Sequence, residues 1–226
     1  MYISLAVRTL RFVAILFLLG VLVAIYFYPG GNIHDPYQIG YSITHNFLSD
    51  LGGYKAHSGE LNLVSSFFFN LSMISFSLIG VAFFFIPQLF KEDLITFILA
   101  IVGSIFFVLG TFFFAGVGLT PHDINRELHI FFAVNGFRLL IPGSFFYLLV
   151  LIRSPISNQY TIFTIFFLLS VVSYVVYQLI GDNPMESQQA MATAASSQKL
   201  ITLVCVLSIF SLSYAFSSKL NYLNVR

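Results

Sequence analysis

The sequence predicts an all-α fold, a polytopic membrane bundle of six transmembrane helices with a long outer loop after the first helix. Three observations predict it. Of 226 residues, 58% are hydrophobic and only 8% are charged. Soluble domains carry roughly 25% charged residues, so this few cannot cover a soluble surface, whereas a lipid-facing surface needs none. Six apolar stretches reach the length of about 20 residues that a helix needs to cross a hydrocarbon core about 30 Å thick. The alternation over about ten residues that marks a membrane barrel is absent.

The helices are expected near residues 8–28, 62–86, 94–118, 128–152, 160–181 and 200–218, within one integral membrane domain over residues 1–226. The first stretch follows Arg8 and Arg11 and runs uncharged from Phe12 to Ile33. That exceeds the apolar core of a cleaved signal peptide, so the stretch reads as an anchor that stays. Residues 29–60 form a long polar loop, residues 87–93 a short charged turn, and residues 182–199 a polar connection rich in Ala, Ser and Gln. Asp182-Asn-Pro184 reads as the stop after the fifth helix. The single cysteine, Cys205, lies in an apolar run and reads as core.

Positive charge in short loops sets orientation. With the N-terminus inside, Arg8, Arg11, Lys91, Arg153, Lys219 and Arg226 lie inside, and Lys55, Arg126 and Lys199 outside. Six against three favours both termini in the cytoplasm and a cell-membrane location. All five histidines and seven of nine acids then fall outside. The net charge of +1 gives no sign of a nucleic-acid partner, and the expected partner is membrane lipid.

Two segments carry the candidate chemistry. In Thr120-Pro-His-Asp-Ile-Asn-Arg-Glu-Leu-His129, Thr120 can cap a helix with Pro121 in its first turn and Asp123 as a capping acid. His122, Arg126 and His129 then share one face, and Asp123 and Glu127 an adjacent one. Arg138 follows, roughly 13 Å further down the helix at about 1.5 Å per residue. A charge at that depth is costly, so Arg138 is expected to face the bundle interior beside a partner such as Asp50, Glu127 or Asn135, or else to snorkel outward. In Thr44-His-Asn-Phe-Leu-Ser-Asp-Leu-Gly-Gly53, a short helix ending at Gly52 pairs His45 with Ser49 and Asn46 with Asp50. Ser49 beside His45 or Asp50 hints at a nucleophile, but Gly-x-Ser-x-Gly and an oxyanion donor are absent. Asn62, Ser66 and Asn70 make a polar stripe on the second helix, suited to helix packing or to lining a hydrophilic cavity.

The expected site is therefore an outward-facing polar pocket built from His45, Asn46, Ser49, Asp50, His122, Glu127, His129 and Arg138. Its leading function is binding of a lipid headgroup or small polar ligand. The alternatives are a metal-assisted intramembrane hydrolase and an interaction subunit without a ligand. No cofactor is expected under the leading reading, and a divalent metal enters only under the hydrolase reading.

Asn46-Phe-Leu-Ser-Asp-Leu-Gly52 resembles the Asn-x-x-Ser-Asp-Leu-Gly signature of a bacterial and archaeal membrane family catalogued as domain of unknown function 998. The run Gly116-Val-Gly-Leu-Thr-Pro121 with His129 beyond it is similar to that family's Gly-x-x-Pro and His pattern. The resemblance covers most of the chain in helix number and motif order. It implies a six-helix membrane fold and marks Asn46, Ser49, Asp50, Gly52, Pro121 and His129, without adding a reaction.

Overall fold

Backbone groups in contact with lipid must find partners within their own segment, so apolar runs of this length become helices. The computed structural model describes residues 2–225, with side chains through Leu223. Seven α-helices follow one another: α1 (Tyr2–Phe27), α2 (Leu63–Ser75), α3 (Ser77–Phe83), α4 (Leu94–Leu119), α5 (Arg126–Ile152), α6 (Asn158–Ile180) and α7 (Gln188–Val225). Short 3-10 helices cover Leu48–Gly52 and Ile86–Phe90. The stretch Leu63–Phe90 acts as one span, giving six segments long and apolar enough to cross a membrane. No β-strand occurs among the described residues.

The interruption at Phe76 has a local cause. The Ser72 hydroxyl donates to the Phe68 carbonyl at 2.7 Å and the Ser75 hydroxyl to the Ser72 carbonyl at 2.6 Å. Such back-bonding competes with the helix ladder and bends it. Asp93 caps α4 through the Thr96 amide, and Asn125 caps α5 through the Leu128 amide. Pro142 lies inside α5, where it supplies no amide to the Arg138 carbonyl.

The six spans form a ring in chain order. The span made of α2 and α3 lies between α1 and α4, α5 packs on α4, α6 on α5, α7 on α6, and α7 closes back onto α1. The core is aromatic. The Phe83 ring lies 4.8 Å from Phe107 in a tilted contact and 5.4 Å from Tyr147 edge to face, and Tyr147 meets Phe216 at 5.5 Å. Tyr147 is fully buried, and its hydroxyl shares a 2.7 Å hydrogen bond with Ser104. Four spans thus meet on one ring system. In lipid such shape-matched packing replaces the water-driven term as the force between helices.

The helix ends depart from the sequence reading at both termini of the chain. The first span starts at Tyr2 rather than near 8, and the last starts at Gln188 rather than near 200. In the last case the polar stretch is rich in Ala and Gln, good helix formers that extend the helix past its apolar part. Residues 182–199 therefore split into a short connection and the first turns of α7.

The two ends of the bundle differ. At one end, a charged hydrogen bond and two ion pairs pin helices together: Arg11 donates to Ser213 on α7 at 2.9 Å, Arg153 contacts Asp93 at 2.9 Å, and the buried Lys219 contacts Glu92 at 2.7 Å. At the other end, residues 28–62 fold into a cap. Replacing the Tyr147 ring by alanine removes the piece shared by four spans. Tyr147→Ala is expected to cost about 3–5 kcal/mol in equilibrium unfolding in detergent, and Tyr147→Phe far less.

Candidate functional site

The cap is built around Asn46. Its side-chain amide donates to the Gly31 carbonyl at 2.8 Å and to Asp50 Oδ2 at 3.0 Å. Its oxygen accepts from Gln38 Nε2 at 2.7 Å and from the Ser42 amide at 3.0 Å. Asp50 Oδ2 also accepts the Phe47 amide at 2.9 Å, closing the turn that carries Ser49. This leaves Oδ1 of Asp50 free to face His57, whose Nε2 lies 3.3 Å away. That contact is at ion-pair distance, although the ring nitrogen is not aligned for a hydrogen bond. Gly31 positions His57 from behind. It has φ +79°, and a Cβ there would lie 2.4 Å from the Ser58 nitrogen, so only glycine lets the two loop strands come this close.

The polar stripe of α2 does something the sequence reading did not assign. Asn62 Nδ2 donates to the carbonyls of Leu51 and Gly53, both at 3.0 Å. Ser65 donates to Leu51 and Ser66 to Gly52, at 3.1 and 2.9 Å, and Asn70 donates to Gly52 at 3.0 Å. The stripe is therefore neither helix glue nor cavity lining. It satisfies the buried carbonyls of the turn after Asp50.

The connection between α4 and α5 brings the second half of the site. Residues 121–125 form a turn rather than the first turn of a helix, because α5 starts at Arg126 with Asn125 as its cap. Asp123 is thus not a capping acid. Its two oxygens accept the amides of Tyr54 at 3.0 Å and Lys55 at 2.9 Å, which clamps the cap to this turn. The clamp seats His122 against Gly53, where a Cβ would stand 2.8 Å from the imidazole Cε1. The His122 ring lies 5.9 Å from His57 on one side and 5.9 Å from His129 on the other. His129 shares a 2.7 Å hydrogen bond between Nδ1 and the Thr120 carbonyl, which makes Nδ1 the protonated nitrogen and leaves Nε2 with a lone pair.

Asp50, His57 and His122 each offer a ligand-type atom within 4.8 Å of the others. These three, with His129, Ser49 and Arg126, border a cavity of about 490 Å³ between the cap, α5, α6 and α7. The opposite wall is formed by Tyr174, Tyr177, Gln178 and the α6–α7 connection around Asp182. A narrow apolar pocket of about 70 Å³ continues inward and shares Ser49, His129, Ala133 and Gln198 with it.

The expected residues separate accordingly. Asn46, Ser49, Asp50, His122 and His129 converge, with Asn46 acting from behind the wall. His45 points away and bonds Thr44 at 2.8 Å. Glu127 is exposed on the first turn of α5 and is absent from the cavity wall. Arg138 corrects the sequence reading: it is exposed on the outside of α5 and has no partner among the described residues. The face of α5 that carries it lies away from Asp50, so neither the interior placement nor that ion pair forms.

Three residues were missed. His57 lies seven positions after Asp50, beyond Gly52-Gly53, and that glycine pair was the signal for a chain reversal. Gln198 and Lys199 were read as connection. Gln198 Oε1 accepts the Leu48 amide at 2.7 Å, and the Lys199 ammonium donates to the Asn46 carbonyl. No protein-family profile, no curated protein and no solved structure matches the chain, so the family resemblance rests on the residues quoted for it.

His57 of the cap and His122 of the α4–α5 turn are pushed in opposite directions. Contact with the Asp50 carboxylate raises His57 against the opposing effect of its burial, and Asp123 adds to the rise. Burial lowers His122, against the attraction of Asp50 and Asp123 and with repulsion from His57. A raised folded-state pKa means that the His57 contribution is fully present below about pH 6.5, the unfolded value, and is lost as pH rises through the folded one. In chelator-treated protein, thermal unfolding in detergent should show wild type gaining more over His57→Gln at pH 5.5 than at pH 8.5. A separate outcome concerns the turn. Asn62→Ala takes the donor from the buried Gly53 carbonyl and should cost about 1–3 kcal/mol in equilibrium unfolding.

Proposed function

We propose that this chain is a multi-pass protein of the cell membrane that binds an amphiphile, the polar headgroup of a lipid, in the cavity beneath its cap. The observation that carries this reading is the composition of the cavity. One wall holds Asp50, His57, His122 and Arg126, and the apolar pocket leads on past Ala133 toward Phe17 and Phe114. A headgroup and the start of its chain need that pairing of a polar and an apolar compartment. Arg126 favours a headgroup with an anionic oxygen, such as a phosphate.

The cavity descends along α5 from Arg126 to Val134. That is about 12 Å at about 1.5 Å per residue, the depth at which headgroups and first methylenes lie. The charge distribution supports both termini in the cytoplasm and hence a cavity in the outer leaflet. Membership in the six-helix family suggested by Asn46, Ser49, Asp50 and Gly52 belongs to the same proposal.

The test fills the cavity. Purified protein in detergent is titrated calorimetrically with dihexanoyl phosphatidylglycerol. Wild type binds it, Ala133→Trp binds at least about tenfold more weakly, equivalent to about 1.4 kcal/mol, and Arg138→Leu binds as wild type does. Equal binding by wild type and Ala133→Trp, or none by either, overturns the reading.

A further inference from the structure

We infer that Asp50, His57 and His122 form a binding site for a divalent first-row transition metal, zinc or iron(II) in class, on the cavity wall. The three candidate ligand atoms lie within 4.8 Å of one another. In a tetrahedral site with bonds of about 2.0–2.2 Å, ligand atoms stand about 3.4 Å apart, so the widest separation in the set exceeds that by at most about 1.4 Å. His57 is carried by the cap and His122 by the turn before α5, while Asp50 is held fixed.

The surroundings are those of a ligand set rather than of a simple ion pair. Asp50 is 4% exposed, and its Oδ2 is fully used by Asn46 and the Phe47 amide. Its Oδ1 is therefore aimed and unshared except by His57. Metal-binding carboxylates are oriented by such supporting hydrogen bonds on their other oxygen. The contact to His57 is short enough for charge attraction but out of line for a hydrogen bond. One ring nitrogen has only the Asp50 contact and another has none: His57 Nε2 meets Asp50 Oδ1 at 3.3 Å out of line, and His122 Nδ1 is buried without a hydrogen-bond partner. Buried nitrogens in native structures are rarely left so, and a cation that takes their lone pairs accounts for both at once.

Two imidazoles and one carboxylate match the donor preference of zinc and of iron(II), and exclude calcium and magnesium as the preferred ions. Three protein ligands would leave at least one coordination position for a further ligand, and all three residues line the cavity. On the reading given above, an anionic headgroup oxygen takes that position. This second role rests on the proposed function, whereas the metal site stands on its own geometry.

The test uses the full chain in detergent. Protein stripped with chelator is reloaded with zinc alone and, separately, with cobalt(II) alone, then desalted. Elemental analysis is expected to give one zinc per chain in wild type and in His45→Ala. His57→Ala and Asp50→Asn are expected to retain at least about tenfold less. Cobalt-loaded wild type is expected to show the intense visible bands of four- or five-coordinate cobalt, discharged by one equivalent of zinc. If His57→Ala holds as much zinc as wild type, or if wild type holds none, the site is overturned. Should the variants not fold, the cobalt spectrum decides alone, and the weak spectrum of hexa-aqua cobalt overturns the inference. Loss of lipid binding in Ala133→Trp with zinc retained confirms the metal site independently of the lipid. Lipid binding that survives the loss of zinc in His57→Ala refutes the second role only.

Discussion

Residues 50–53 turn the chain sharply against a helix bundle, and their carbonyls have no water to bond. That constraint organises the whole capped end. Four side chains on α2, Asn62, Ser65, Ser66 and Asn70, meet those carbonyls, and each hydrogen bond fixes the turn a little more firmly to the helix. A buried carbonyl without a donor costs free energy comparable to a lost hydrogen bond. With the turn fixed, Asp50 has one place to be, and the cap, the clamp by Asp123 and the seat of His122 follow from it. The site is rigid on the Asp50 side because the backbone behind it is fully bonded.

The two ends of the bundle divide the polar residues by purpose. Arg153 with Asp93 and Lys219 with Glu92 join neighbouring helices at the uncapped end, charge against charge. At the capped end the polar side chains serve the backbone first. Asn46, Asn62 and Asp123 each bond two or more main-chain groups, and only then are Asp50, His57 and His122 left over as groups without full partners. Polar residues that remain unsatisfied after the backbone has been served are where binding chemistry resides.

Much of this was legible in the sequence. The six spans came from apolar length alone, because lipid leaves a chain few alternatives to a helix. Asn46, Ser49, Asp50, His122 and His129 were legible as short motifs of polar residues at helix ends. His57 was not, since its place depends on a chain reversal at Gly52-Gly53 and on Gly31 accepting a positive φ. Gln198 and Lys199 were hidden because a polar helix looks like a connection when only apolarity is read. Arg138 had two placements open in the sequence, interior or outward, for a physical reason: sequence gives depth along a helix, and the rotation about its axis is set by packing against α4 and α6.

The site draws on four parts of the chain that are far apart in order of synthesis. Asp50 and His57 leave the ribosome first, and two membrane spans follow before His129. Gln198 and Lys199, which reach back to Leu48 and Asn46, come last. A nascent chain therefore carries the cap through four further spans without the helix that closes over it. The amide of Leu48 and the carbonyl of Asn46 stay open until the sixth span inserts. The cavity exists only in a finished molecule, and an incompletely inserted chain cannot bind in its place.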